Sequence, residues 1–95
     1  MRETTIEKKL KTEVEKRGGK ALKFTSPGMR GVPDRIILLP GAKTIFVELK
    51  APNKKPDPMQ MKMFIMLLEL GHRAYVVDSM PCLERFVKEV LDSAV

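Results

Sequence analysis

The chain has 95 residues, 43% hydrophobic and 32% charged, a globular composition long enough for one domain over residues 1–95 with a single core. No stretch can span a bilayer and no apolar leader follows Met1, so a cytoplasmic protein is expected; Cys82 and His72 are the only residues of their kinds, so any metal must be held by oxygen. The net charge of +6 is uneven, with +8 in residues 1–62 and −2 in residues 63–95, which points to a polyanionic partner for the first two thirds.

Thr4-Thr5-Ile6-Glu7 has capping-box spacing, and Ile6, Leu10 and Val14 then recur at helical spacing until Gly18-Gly19, so a first helix is expected over about residues 5–17. Lys20–Thr25 alternates as a short strand does. Ser26–Pro33, with two glycines and two prolines, is a loop able to approach a ligand closely. Asp34–Leu39 and Thr44–Lys50 are strands by their β-branched and apolar content, and Pro40-Gly41-Ala42-Lys43 between them has the length of a hairpin turn. Ala51–Pro58 holds three prolines and must be a loop, ending in Asp57 as N-cap and Pro58 as first helical residue. The second helix should run to about Leu70, closed by Gly71, before a fourth strand over Arg73–Asp78 and a last amphipathic helix over Cys82–Leu91. The order αβββαβα predicts an α/β fold. Its β-α-β crossover makes the fourth strand parallel to the third, in a mixed sheet of about four strands with helices on both faces.

A hairpin centred on Gly41 sets residues whose numbers sum to 82 opposite one another, and Asp34 with Glu48 is such a pair. Lys50, two residues on, projects from the same face. Paired carboxylates repel unless a proton or cation intervenes, and hard oxygen ligands of this kind suit Mg²⁺. With an ammonium beside them, the three residues suit metal-assisted phosphodiester hydrolysis. The same residues could equally form ordinary cross-strand ion pairs. His72 and Cys82 have no third group to orient a base, which argues against thiol catalysis.

Gly31-Val32-Pro33-Asp34 opens one strand, Val47-Glu48-Leu49-Lys50 closes the next, Gln60 follows, and Glu7 stands on the preceding helix. In this order and context the chain resembles, over nearly its whole length, the VRR-NUC (virus-type replication-repair nuclease) branch of the PD-(D/E)XK nucleases. The resemblance implies a restriction-endonuclease-like fold and a Mg²⁺- or Mn²⁺-dependent hydrolase. Asp34, Glu48 and the Leu49 carbonyl would be the metal ligands and Lys50 the catalytic lysine. It also implies catalytic roles for Glu7 and Gln60, though each has a helix-cap alternative, Glu7 with Thr4 and Gln60 with Asp57. Stand-alone members are associated with homodimers that cut four-way DNA junctions. A Holliday-junction resolvase is therefore the leading expectation, with a phage or prophage gene as a compatible source. A flap or nicking nuclease is the nearest alternative, and a non-catalytic nucleic-acid-binding module the alternative from another class.

Lys8, Lys11, Arg30, Lys54 and Lys55, together with Lys9, Lys16 and Arg17, are the cations expected on phosphates. Five aromatic residues are few for a single-strand stacking platform. Nine of the twelve residues from Met59 to Leu70 are apolar, so this helix should be covered on more than one side. Either its methionine-rich part, with Met59, Met63 and Met66, is a homodimer interface, or the whole helix lies in the core. A two-fold dimer would present two active sites to the equivalent strands of a junction.

Overall fold

Ile6, Leu10 and Val14 form one stripe of helix α1 (Glu3–Lys16), and all three are fully buried against the sheet in a computed structural model that describes residues 3–93. The helix is already under way at Glu3, so Thr4 lies inside it and the expected Thr4–Glu7 capping box is not formed. Strands β1 (Lys20–Lys23), β2 (Arg35–Leu39), β3 (Lys43–Leu49) and β4 (Arg73–Val77) make one sheet in the order β1-β2-β3-β4. The first three are antiparallel and β4 runs parallel to β3, as the crossover through helix α2 (Pro58–Glu69) requires. β1 ends two residues earlier than its alternation suggests, although Phe24 N–H still donates to Asp34 O at 2.9 Å.

The hairpin register runs from Leu39 opposite Lys43 to Arg35 opposite Val47, which is the expected one. Gly41 and Ala42 turn the chain at φ 82° and 61°. Helix α3 (Met80–Phe86) starts two residues before the expected Cys82 because Ser79 caps it, its hydroxyl accepting from Cys82 N–H at 3.2 Å. It continues as a wider, π-helical turn over Val87–Leu91. No helix among the described residues is long and apolar enough to cross a membrane.

Alternation along each strand divides the interior in two. Ile37, Ile45, Val47, Leu49 and Val77 face α1 and α3 in the main core, whereas Phe46 and Ala74 face α2 with Met63 and Leu67. Met63 thus belongs to the core and not to a free surface. The outer side of α2 is a different matter, because Met61, Ile65, Leu68 and Leu70 are exposed.

Glu13 on α1 gathers three cations, with Lys9 at 3.1 Å, Arg17 at 3.0 Å and Lys16 at 3.3 Å. Hydrogen bonds from Lys9 and Arg17 hold its carboxyl down at about 2. Arg17 also grips Asp92, tying the end of α1 to the turn after α3. Lys9, Lys16 and Arg17 are thus each paired with Glu13 in the free protein, although Lys9 and Lys16 stay exposed.

Candidate active site

Asp34 stands immediately before β2, and extending the hairpin register by one step places it opposite Glu48. Its carboxylate is fastened there, with Oδ2 accepting from Leu49 N–H at 2.8 Å. A strand residue's N–H and C=O face the same neighbour, so the Leu49 carbonyl is also directed to the Asp34 side. Val47 and Leu49 turn into the main core, and Glu48 and Lys50 therefore project from the opposite face, the one that carries α2.

Glu48 is 3% exposed, and neither of its oxygens accepts a hydrogen bond among the described residues. Lys50 Nζ lies 3.1 Å from Oε2, an ion-pair distance outside hydrogen-bond geometry. Burial first, and then the charge of Asp34, push the Glu48 carboxyl up to about 7, with Lys50 pulling the other way. With the Lys50 ion pair alone against its burial, this carboxylate keeps unmet hydrogen-bonding capacity that a cation or a proton would satisfy. Among the described residues no three acidic, histidine or cysteine side chains cluster as a metal cage. Two carboxylates and a backbone oxygen are nevertheless the donor set with which Mg²⁺ is commonly held beside a phosphate, so the residues present fit such an ion.

Glu7 is not brought to this pair. It takes a hydrogen bond from Arg35 Nη2, and Arg35 Nη1 donates to Ala21 O at 3.1 Å. Arg35 is one residue from Asp34 and so faces the other way, toward α1. Its importance was readable only in part: a charge alternating with Ile37 and Leu39 needs a carboxylate from the facing helix, and Glu7 lies next to the buried Ile6. Gln60 completes the capping box at the start of α2. Its backbone N–H donates to Asp57 Oδ1 and its carboxamide oxygen accepts from Asp57 N–H, both at 2.9 Å. The cap reading of Gln60 therefore holds, leaving only its NH₂ end for a substrate.

The loop before Asp34 is pinned at Gly31. This residue has φ 82°, and a Cβ there would lie 2.5 Å from the Met59 carbonyl oxygen. Gly31→Ala should therefore cost about 2 kcal/mol or more, read as a lower denaturation midpoint. Of the other cations expected on phosphates, Lys8, Lys11, Arg30, Lys54 and Lys55 are all exposed.

A solved structure described as a "VRR_NUC domain" superposes with a TM-score of 0.88 at 30% identity, covering 93% of this chain and 96% of the other. "Putative nuclease p44" of Acyrthosiphon pisum secondary endosymbiont phage 1 is 56% identical over 79 residues, which is 83% of this chain and 85% of that protein. The chain belongs to the VRR-NUC family. No family-level sequence model matches it. As a VRR-NUC domain the chain is a nuclease, and the αβββαβα order with its mixed four-stranded sheet is the fold of that domain. In this VRR-NUC domain Asp34, Glu48 and Lys50 share one end of the β2–β3 hairpin, whereas Glu7 lies across the sheet from them.

Proposed function

We infer that this VRR-NUC domain is a metal-dependent endodeoxyribonuclease acting on branched DNA, with the four-way junction as its leading substrate and a homodimer as its working form. The carrying observation is Glu48, a buried carboxylate with no hydrogen-bond donor, set opposite Asp34. Mg²⁺ or Mn²⁺ held by Asp34, Glu48 and the Leu49 carbonyl would supply Lewis acidity toward a phosphodiester. The chain's own residues do the rest. Leu49 N–H fixes one oxygen of Asp34 and leaves the other to a ligand. Lys50, steered by Glu48, is placed to offset charge building on the scissile phosphate. The Gln60 NH₂ end can donate to the bound strand, and Glu7 serves by holding Arg35, the residue after Asp34.

Labelled four-way junction, flap and linear duplex, each with and without Mg²⁺ or Mn²⁺, test this reading. Paired cuts in the junction that vanish on chelation are expected. Faster cutting of the flap would favour the flap or nicking nuclease, and binding without cleavage would favour the non-catalytic module. Log affinity should fall with log salt at about −0.9 per phosphate neutralised, over roughly 4 to 8 contacts per subunit. Replacing Lys54 and Lys55 by Ala should lower that slope by about one to two without altering metal binding, and an unchanged slope would remove them from the interface.

The dimer rests on apolar surface that one subunit leaves open. Leu68 and Ile65 on α2, and Leu22 and Leu38 on β1 and β2 on the same sheet face as α2, are 40–49% exposed. Leu68→Glu, at a solvated position, should give a folded monomer by circular dichroism and light scattering. A wild type that is monomeric at micromolar concentration, free and on the junction, would overturn the dimer.

A further inference from the structure

Beyond Gly31, the loop lifts off α2 and leaves a cleft of about 560 Å³ with Met29 and Arg30 on one wall and Met59, Lys62 and Met66 on the other. A second hollow, lined by Arg30–Val32 and Asp57–Gln60, shares Arg30 and Met59 with it. That hollow reaches Val32, two residues before Asp34 along the chain. The cleft floor is thioether and aliphatic. Methionines there are flexible and polarisable, and they make favourable contacts with the edges and faces of aromatic rings. Arg30 and Lys62 are exposed at its rim, and neither makes an ion pair among the described residues. Glu69 closes the end away from the first turn of α2 and disfavours a further phosphate there. The occupant is therefore flat and apolar in one part, anionic in another, and short.

We propose that this methionine-lined cleft takes one unpaired nucleotide adjoining the scissile phosphate, its base against Met29, Met59 and Met66 and its phosphate between Arg30 and Lys62. The inference rests on the nuclease reading above and deepens it: the enzyme selects branched DNA by capturing a base that a continuous duplex keeps stacked. The scarcity of aromatic residues does not oppose this, because sulfur takes the place of a stacking ring. The exposed cations at its rim, Arg30 and Lys62, select an anionic DNA strand as the occupant over a second copy of this chain, whose net charge is +6.

The test measures binding by fluorescence anisotropy in chelator, using a duplex with one unpaired nucleotide and the same duplex with an abasic analogue at that position. Wild type should bind the base-bearing DNA about tenfold more tightly. The double variant Met29→Ser with Met59→Gln, both exposed positions, should bind both DNAs alike, at the abasic level. Equal wild-type affinities, or a preference that survives in the variant, would overturn the proposal. So would a variant that has become monomeric where wild type is dimeric, since the cleft would then hold a second copy. Cleavage of the same DNAs with Mn²⁺ separates the two readings. A wild type that cuts DNA yet ignores the base sinks only the cleft, and one that prefers the base yet cuts nothing sinks only the nuclease mechanism.

Discussion

Asp34→Asn and Glu48→Gln should each lower cleavage by at least about a hundredfold while leaving DNA binding unchanged or tighter. Each change removes a negative charge from a site where two carboxylates face each other, so the hold on a divalent cation weakens. The repulsion of phosphate weakens as well, which separates chemistry from binding. Lys50→Ala should lose cleavage to a similar degree for a different reason, because Nζ lies 3.1 Å from Glu48 and is no part of the expected ligand set. Calorimetric titration with Mn²⁺ distinguishes them: the carboxylate variants should bind the ion weakly, and Lys50→Ala should bind it as wild type does or better. Full activity in any one of the three would mean that the site is elsewhere.

Without metal, the protein should become less stable as pH rises from about 5 to 8. In the folded state the Glu48 carboxyl is pushed up to about 7, against 4.5 for the ordinary group. Between these values the native state keeps a proton that the unfolded state has released, so stability falls as pH climbs through the window. The loss amounts to about 3 kcal/mol, a large share of a small domain's total. Glu13 acts with the opposite sign. Its carboxyl sits at about 2, so the stability it contributes is present above pH 4.5 and is lost as pH falls toward 2. Urea unfolding in chelator should therefore show a maximum near pH 4.5 to 5. Glu48→Gln should flatten the alkaline side of that maximum, and Mn²⁺ at pH 8 should restore wild type but not the variant. A stability that rises steadily to pH 8 in wild type would show that Glu48 is not a strained carboxylate.

The sheet and its register were legible because they follow from local rules. Gly41 marks the turn, strand alternation separates Ile45 and Val47 from Glu48, and the proline-rich loop forces a crossover that makes β4 parallel. The same rules bring Asp34, Glu48 and Lys50 to one face. What escaped them depends on which elements meet in space. Glu7 has the spacing of a cap and the place of a catalytic residue, yet it pairs with Arg35 across the α1–sheet interface. Lys9, Lys16 and Arg17 look like free cations until the helical turn brings Glu13 between them. The apolar helix α2 reads as buried all round, but only Met63 and Leu67 are buried, because hydropathy does not say how many sides have neighbours. The cap at Ser79 leaves no mark in the hydrophobic pattern, because the apolar stripe of the last helix starts later, at Leu83.

The clasp at the end of the last helix also governs how this enzyme can be handled. Lys43 Nζ donates to the carbonyls of Val90 and Ser93, and Arg17 holds Asp92, so the segment after α3 is bound at the turn end of the β2–β3 hairpin. Six residue steps of β3 separate Lys43 from Leu49, roughly 20 Å along the strand. A dye or surface linker attached at residue 93 itself would thus sit on the far side of the sheet's length from Asp34 and Glu48. Immobilised that way, the domain would turn the end that carries the carboxylate pair outward to DNA in solution.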